Sequence, residues 1–325
     1  LPGSRLPGTR RLAGSLGVHR NTVIAAYGEL TTQGWIDSQP ARGTFVSDQL
    51  PEPRARRFTR AAAAPGLASE AGYSLPRGGA AASADVLPAG VLSLVGGLPD
   101  MRLAPTVQLA RAYRRSLRAR GGALLDYGDP RGHVRLRDAL AQMVRTRRGV
   151  AATADDVLIT QGSQMAIYTA ARTLLRPGDR VAVESYGYRP AWEALRAAGA
   201  ELVPIAVDGR GLVVEALTSV ESLRAVYLTP HHQYPTTVTL APGRRLALLE
   251  LARRRRIAII EDDYDHDFHF DGRPVLPLAS ADPHGVVLYV GTLSKTLAPG
   301  LRVGYAIAPA PVLARMAEYR RHVDH

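Results

Sequence analysis

Four short aliphatic and β-branched runs constrain this chain more than any other feature. They are Val157-Leu158-Ile159-Thr160, Val181-Ala182-Val183, Ile257-Ala258-Ile259-Ile260 and Val286-Val287-Leu288-Tyr289-Val290. Each has the length and residue types of a buried strand. Each also runs directly into polar residues: Gln161-Gly162-Ser163-Gln164, Glu184-Ser185-Tyr186-Gly187-Tyr188, Glu261-Asp262-Asp263-Tyr264-Asp265 and Gly291-Thr292-Leu293-Ser294-Lys295. Open α/β sheets bind ligands beyond the carboxyl ends of their strands. The pattern therefore predicts such a sheet, with chemistry gathered along one edge.

Lys295 is the only lysine; the other 40 of the 41 basic residues are arginine. Arginine replaces lysine wherever only charge matters. It fails where an amine must lose its proton and attack a carbonyl, because guanidinium stays charged. A chain that has drifted to arginine should keep only lysines that do chemistry, although a last lysine left by chance has the same count. The net charge of +12 permits a polyanionic partner, but an overall bias toward Arg and Ala explains much of it. No cysteine is present, which excludes disulfides, thiol catalysis and Cys-based zinc sites. No apolar run reaches the roughly 20 residues that span a bilayer. The opening Leu1-Pro2-Gly3-Ser4-Arg5 has neither a methionine nor a signal-peptide core.

Around the lysine, Thr292-Leu293-Ser294-Lys295 leads through Pro299-Gly300 to Leu301-Arg302-Val303-Gly304. The hydroxyls suit a phosphate, and Arg302 offers a fixed cation. This segment resembles the lysine motif of fold-type I pyridoxal-phosphate enzymes, the aspartate aminotransferase superfamily. The resemblance implies that Lys295 is the catalytic residue and forms a Schiff base with pyridoxal 5′-phosphate. It also implies that Thr292 and Arg302 bind the phosphate and that Ser294 supports the turn.

Other segments fall in the same family's order. Glu261-Asp262-Asp263-Tyr264 resembles its acidic motif, which puts Asp262 on the pyridine nitrogen and Tyr264 near the ring's phenolic oxygen. A carboxylate there keeps the nitrogen protonated, so the ring can accept electrons. A metal site among Asp262, Asp263, Asp265, His266, Asp267 and His269 is a rival reading, and a solvated acidic loop a third; no metal ligand is assigned. Gly162, Ser163 and Gln164, at a strand–glycine–helix junction, resemble the phosphate cup, since helix N-termini bind phosphate. Tyr188 stands where the family stacks an aromatic on the cofactor, with ordinary packing as the alternative. His232-Gln233-Tyr234-Pro235-Thr236-Thr237 resembles the turn beside the cofactor. Tyr234 stands where aminotransferases usually carry asparagine, and Thr237 replaces a glycine. Tyr127, in Asp126-Tyr127-Gly128-Asp129-Pro130, matches a tyrosine that reaches the neighbouring subunit's phosphate, so the resemblance implies a homodimer.

The first 47 residues read differently. Leu6–Val18 forms a short helix ended by Gly17, and His19–Leu30 a second helix with Gly34 as its stop. Two helices joined by a tight glycine turn suit a helix-turn-helix. Its second helix would enter the major groove by the end carrying Arg20, Asn21 and Thr22. Strand, turn and strand follow, a wing tipped by Arg42 and Gly43. The string resembles the winged-helix domain of GntR-type regulators, with the family's first helix missing. Gly8 and His19 replace two of its serines, which weakens the expected caps. Arg10 and Arg11 join Arg20, Asn21, Thr22, Arg42 and Gly43 as the implied contacts to double-stranded operator DNA. A helical hairpin without DNA affinity is the bland alternative.

Residues 48–92 are rich in Pro, Ala, Gly and Arg without periodicity, and read as a linker. The expected organisation is α/β. A winged helix-turn-helix occupies 1–47, and an aminotransferase-like large domain, a mostly parallel sheet with helices on both faces, occupies 93–325. Both ends are expected to be truncated, with the small C-terminal domain missing. That order resembles the MocR subfamily of GntR regulators. It implies a cytoplasmic homodimeric transcription factor that senses a small amino compound through Lys295. A working aminotransferase with a fused head is the alternative.

Overall fold

The computed structural model describes residues 1–49, 72–74, 90–91, 97, 99–268 and 275–324, and the chain divides into two compact units, Leu1–Val86 and Leu87–His325. The linker expected over 48–92 and His269 fall almost wholly outside the described residues.

In the first unit, helix α1 spans Thr9–Leu16 and helix α2 spans Arg20–Thr32. Gly17 ends α1 in the left-handed region at φ 66°, which turns the chain into α2. Gly8 gives α1 no side-chain cap. At the start of α2 the expected weakness is absent, because the Nδ1 of His19 accepts the Asn21 N–H at 3.2 Å. Strands β1 (Ile36–Gln39) and β2 (Gly43–Val46) pair antiparallel as the wing. The N-terminal segment adds to that wing: the Gly3 N–H donates to the Val46 carbonyl and the Leu6 N–H to the Thr44 carbonyl. Ala13, Val23 and Ile36, one from each of α1, α2 and β1, bury a small core.

The second unit opens with α3 (Thr106–Leu124) and α4 (Val134–Arg148). Strand and helix then alternate: β3 (Val157–Gln161), α5 (Gly162–Leu174), β4 (Arg180–Glu184), α6 (Arg189–Ala197) and β5 (Glu201–Ile205). A small hairpin of β6 (Val207–Asp208) and β7 (Gly211–Leu212) follows. The chain continues through β8 (Leu223–Leu228), α7 (Pro242–Arg255), β9 (Ala258–Asp263), β10 (Val287–Thr292), β11 (Val303–Ile307) and α8 (Ala310–Arg320). Seven strands form one sheet in the order β3-β11-β10-β9-β8-β4-β5. Its pairings are parallel from β10 to β5, while β11 runs antiparallel to both β10 and β3.

Period-two alternation sorts each strand between two cores. Tyr227, Ile260, Leu288 and Val290 pack with α5, α6 and α8 on one face. Val226, Leu228, Ile259 and Val287 pack with α7 on the other, where α4 covers Val157, Tyr289 and Tyr305. Strands buried on both faces read as continuous apolar runs, which is why the four runs carry no alternation.

The antiparallel β11 brings Gly304 against the start of α5. A Cβ built there would lie 2.4 Å from the Gly162 carbonyl carbon and 2.7 Å from the Ser163 nitrogen. Backbone cannot yield as a flexible side chain does. Gly304→Ala should therefore destabilise the protein by about 1–3 kcal/mol, the usual cost of overpacking, measured by urea unfolding. An unchanged midpoint would contradict this packing.

Candidate functional site

The pleat of β9 decides where its acids go. Asp262 shares the face of Ile260, at the carboxyl end of the strand, and is only 2% exposed. The Tyr227 hydroxyl donates to its Oδ2 at 2.8 Å. Its Oδ1 is buried with no hydrogen-bond partner among the described residues. Burial pushes the carboxyl up to about 7; the Tyr227 hydroxyl pulls down, Asp263 and Asp265 push up further, and Lys295 pulls down. An acid so placed is short of one donor.

Lys295 follows β10 in a tight turn. Thr292 Oγ1 donates to Ser294 Oγ at 3.0 Å and accepts the Ser294 N–H at 3.1 Å, which shapes the approach to the lysine. The half-buried Nζ donates to the Gly97 carbonyl. Burial lowers the lysine's pKa, against the opposing pull of Asp262 and Asp265. A lowered pKa raises the share of neutral, nucleophilic amine.

A guanidinium meets a helix start at the beginning of α5. Gly162 has φ 79°, and a Cβ there would sit 2.6 Å from Arg302 Nη2. Arg302, itself left-handed at φ 50°, donates from Nη2 to the Gln161 carbonyl at 3.2 Å. Its guanidinium is thus held beside the first N–H groups of a helix, at Gly162, Ser163 and Gln164, which lack partners inside the helix. Gln164 contributes only backbone to this end, because its Nε2 donates to the Pro190 carbonyl at 2.6 Å.

Three tyrosines meet edge to face: Tyr188 with Tyr234 at 6.1 Å and Tyr234 with Tyr264 at 6.3 Å between ring centres. Burial raises the Tyr188 pKa, with Asp262 adding and Arg302 opposing, so this ring lies within electrostatic reach of both ends of the site. The Tyr264 hydroxyl donates to the His232 carbonyl at 3.2 Å. Thr237 keeps a left-handed φ of 63°, the conformation that favours glycine. A cavity of about 910 Å³ opens beside these residues, lined by Gly97, Tyr234, Tyr264, Asp265, Lys295 and Thr296 among others. Tyr127 stands 81% exposed and does not line it.

Sequence reading missed Tyr227. It lies inside Leu223–Leu228, which reads as plain core strand, and only the pairing of β8 with β9 reveals it opposite Ile260. In the first unit Arg10, Arg11, Arg20, Asn21, Thr22 and Arg42 are all exposed. Arg5 was also missed: its guanidinium lies against Gly43, where a Cβ would come within 3.0 Å of Nε.

A sheet with an amine, a buried acid and a helix start beside an arginine along one edge defines the class: an aminotransferase-type fold. Residues 96–323 match the family Aminotransferase class I and II, and residues 1–46 match Bacterial regulatory proteins, gntR family. The chain belongs to the aminotransferase class I and II family and carries a gntR-family head, the organisation of the MocR subfamily. It is 37% identical over 312 residues to the "Probable rhizopine catabolism regulatory protein MocR" of Rhizobium meliloti, covering 96% of this chain and 62% of that protein. It is 36% identical over 344 residues to the HTH-type transcriptional regulator TauR of Rhodobacter capsulatus, covering 99% and 66%. The chain thus spans about two thirds or less of these relatives. Among solved structures it resembles Pyrococcus horikoshii kynurenine aminotransferase, with a TM-score of 0.67 and 31% identity over 71% of this chain and 59% of that one.

The buried acid has a consequence for stability. Its pKa rises from 3.8 in the unfolded chain to about 7 when folded. Between those values the folded state holds a proton that the unfolded state releases, so stability falls as pH rises through the window. Asp262→Asn removes the titration. At about pH 8 the ligand-free variant should be more stable than wild type by on the order of a few kcal/mol. Urea unfolding across this pH range checks it. A variant less stable than wild type at alkaline pH would contradict the assignment.

Proposed function

We propose that this chain is part of a DNA-binding transcription regulator that uses pyridoxal 5′-phosphate to sense a small amino compound. The observation that carries the cofactor reading is the buried Oδ1 of Asp262, which has no hydrogen-bond partner among the described residues. A protonated pyridine nitrogen is the donor that oxygen lacks. The remaining residues fit the same group. Gly162, Ser163 and Gln164 would hold the phosphate through backbone N–H groups, with Arg302, Thr292 and Ser294 beside them. Tyr188 would pack on the ring, and Tyr264 and Tyr234 would flank its phenolic side. Lys295 would hold the cofactor covalently. When bound, the cofactor supplies an aldehyde that exchanges amines and a ring that accepts electrons. The protein's part is to keep Lys295 partly neutral, to hold a proton at the ring nitrogen through Asp262, and to narrow the cavity with aromatic edges.

The gntR-family head supports DNA as the partner. Arg20, Asn21 and Thr22 are exposed at the first turn of α2. Arg10, Arg11, Arg42 and Gly43 would contact the backbone and groove on either side. Operator DNA sets the cytoplasm as the place of action, and no helix among the described residues is long and apolar enough to cross a membrane. The resemblance at Tyr127, which is 81% exposed, supports a homodimer. The second reading, an active aminotransferase with a fused head, rests on the intact pairing of Lys295 with Asp262. Tyr234, in place of the usual asparagine, favours sensing.

Two measurements test this. Titrated with pyridoxal 5′-phosphate, the full-length protein should develop a visible absorption band that Lys295→Ala lacks. Arg302→Ala should weaken cofactor binding by about 10- to 100-fold, the loss of one charge-assisted contact. A wild type that binds no cofactor would overturn the reading, and sustained turnover of amines with keto acids would favour the enzyme.

In gel shifts on the DNA upstream of its own gene, the protein should bind less tightly as salt rises. Arg20→Ala should weaken that complex by about tenfold or more. Binding indifferent to salt and to Arg20 would remove DNA as the partner.

A further inference from the structure

The acidic run at 262–267 is divided in space. Asp263 lies on the opposite face of β9 from Asp262, only 2% exposed, above the core that α4 covers. There the Tyr289 hydroxyl donates to its Oδ2 at 2.6 Å, and His266 Nδ1 lies 2.9 Å from the same oxygen. A third group arrives from a distant segment: His231, in the loop after β8. His231, Asp263 and His266 are all buried, at 3%, 2% and 4% exposure. Each offers one ligating atom, and the three atoms lie within 4.8 Å of one another.

The environment sets these groups up as ligands. His231 Nδ1 lies 3.1 Å from the Val275 carbonyl. A carbonyl only accepts, so the proton sits on Nδ1 and the lone pair on Nε2. A backbone carbonyl behind the ring is the usual way a metal-binding histidine is oriented. The Tyr289 hydroxyl holds the Asp263 carboxylate in the same manner. The Oδ1 of Asp263 is buried and has no hydrogen-bond partner among the described residues.

We propose that His231, Asp263 and His266 bind one transition-metal dication of the zinc class, with water completing the coordination. Two imidazoles and one carboxylate suit zinc, cobalt or nickel; magnesium and calcium require mostly oxygen. In a tetrahedral zinc site with bonds of about 2.0–2.2 Å, ligand atoms stand about 3.3–3.6 Å apart. The three ligand atoms, within 4.8 Å of one another, lie near that spacing. Two cations face this acid: Arg148, 3.8 Å from Asp263, whose other nitrogen pairs with Asp267 at 3.1 Å, and the buried Arg245, which Glu261 also faces. The Asp267 carboxylate offsets the charge of Arg148. A bound ion would tie the loop carrying Tyr234 to the strand end carrying Asp262 and Tyr264, and so stiffen one wall of the cavity.

The test uses the full-length protein without an affinity tag, stripped with chelator and then dialysed against zinc. Metal analysis should give one zinc per chain. His231→Gln and His266→Gln should each weaken binding at least about tenfold, with far-ultraviolet circular dichroism unchanged. X-ray absorption at the zinc edge of the wild type should show two imidazole ligands, a readout that does not depend on the variants folding. A wild type that takes up no stoichiometric zinc, variants that keep wild-type affinity, or an oxygen-only spectrum would overturn the proposal.

Discussion

Asp262 is a charged group held where charge is costly, and the rest of the site is arranged around that fact. One of its oxygens is bonded to Tyr227 and the other is bare. No donor among the described residues reaches that second oxygen. The strand order makes this possible. β9 lies in the middle of the sheet, so an acid at its end is covered by helices on one side and by adjacent strands on both edges. A surface strand would have hydrated the same residue and left its pKa ordinary. The buried carboxylate weakens the ligand-free fold at neutral pH, and under the proposed function a ligand that brings its own positive nitrogen would satisfy it. Stability would thereby be exchanged for binding specificity.

The helix-start end of the site follows from a different constraint, close backbone approach. β11 runs antiparallel against β3 and β10 and places Gly304 directly over the first residues of α5. Arg302, just before β11, is then beside the Gly162 turn. One glycine contact therefore sets both the height of the helix start and the position of the cation. The amine and the acid belong to neighbouring parallel strands, with Val290 opposite Asp262 in register. The three chemical functions come from three segments far apart in sequence, joined only by the sheet.

Much of this was legible in the sequence. The apolar runs located β3, β4, β9 and β10, because strands buried on both faces show themselves as unbroken hydrophobic stretches. Lys295 stood out because arginine cannot replace an amine that must deprotonate, and the structure places it in the lining of the cavity. Gly17 and the wing located the head's elements to within a few residues. What stayed hidden depends on pairing and pleat. Tyr227 looks like core until β8 is set beside β9. The acidic run looks like one cluster until alternation sends Asp262 and Asp263 to opposite faces. His231, 32 residues before Asp263, has no local signal linking it to that acid. The antiparallel edge of the sheet was likewise invisible, since β11 reads as any other apolar run.

The central claim is that Lys295 is the amine that holds the cofactor, and the composition allows an unusually direct measurement. Lys295 is the only lysine in these 325 residues. Full-length protein saturated with pyridoxal 5′-phosphate is reduced with borohydride, digested and mapped by mass spectrometry. A phosphopyridoxyl group on the peptide containing Lys295, at close to one per chain, is the predicted result. Adduct confined to the N-terminal peptide, or none at all, would contradict the account.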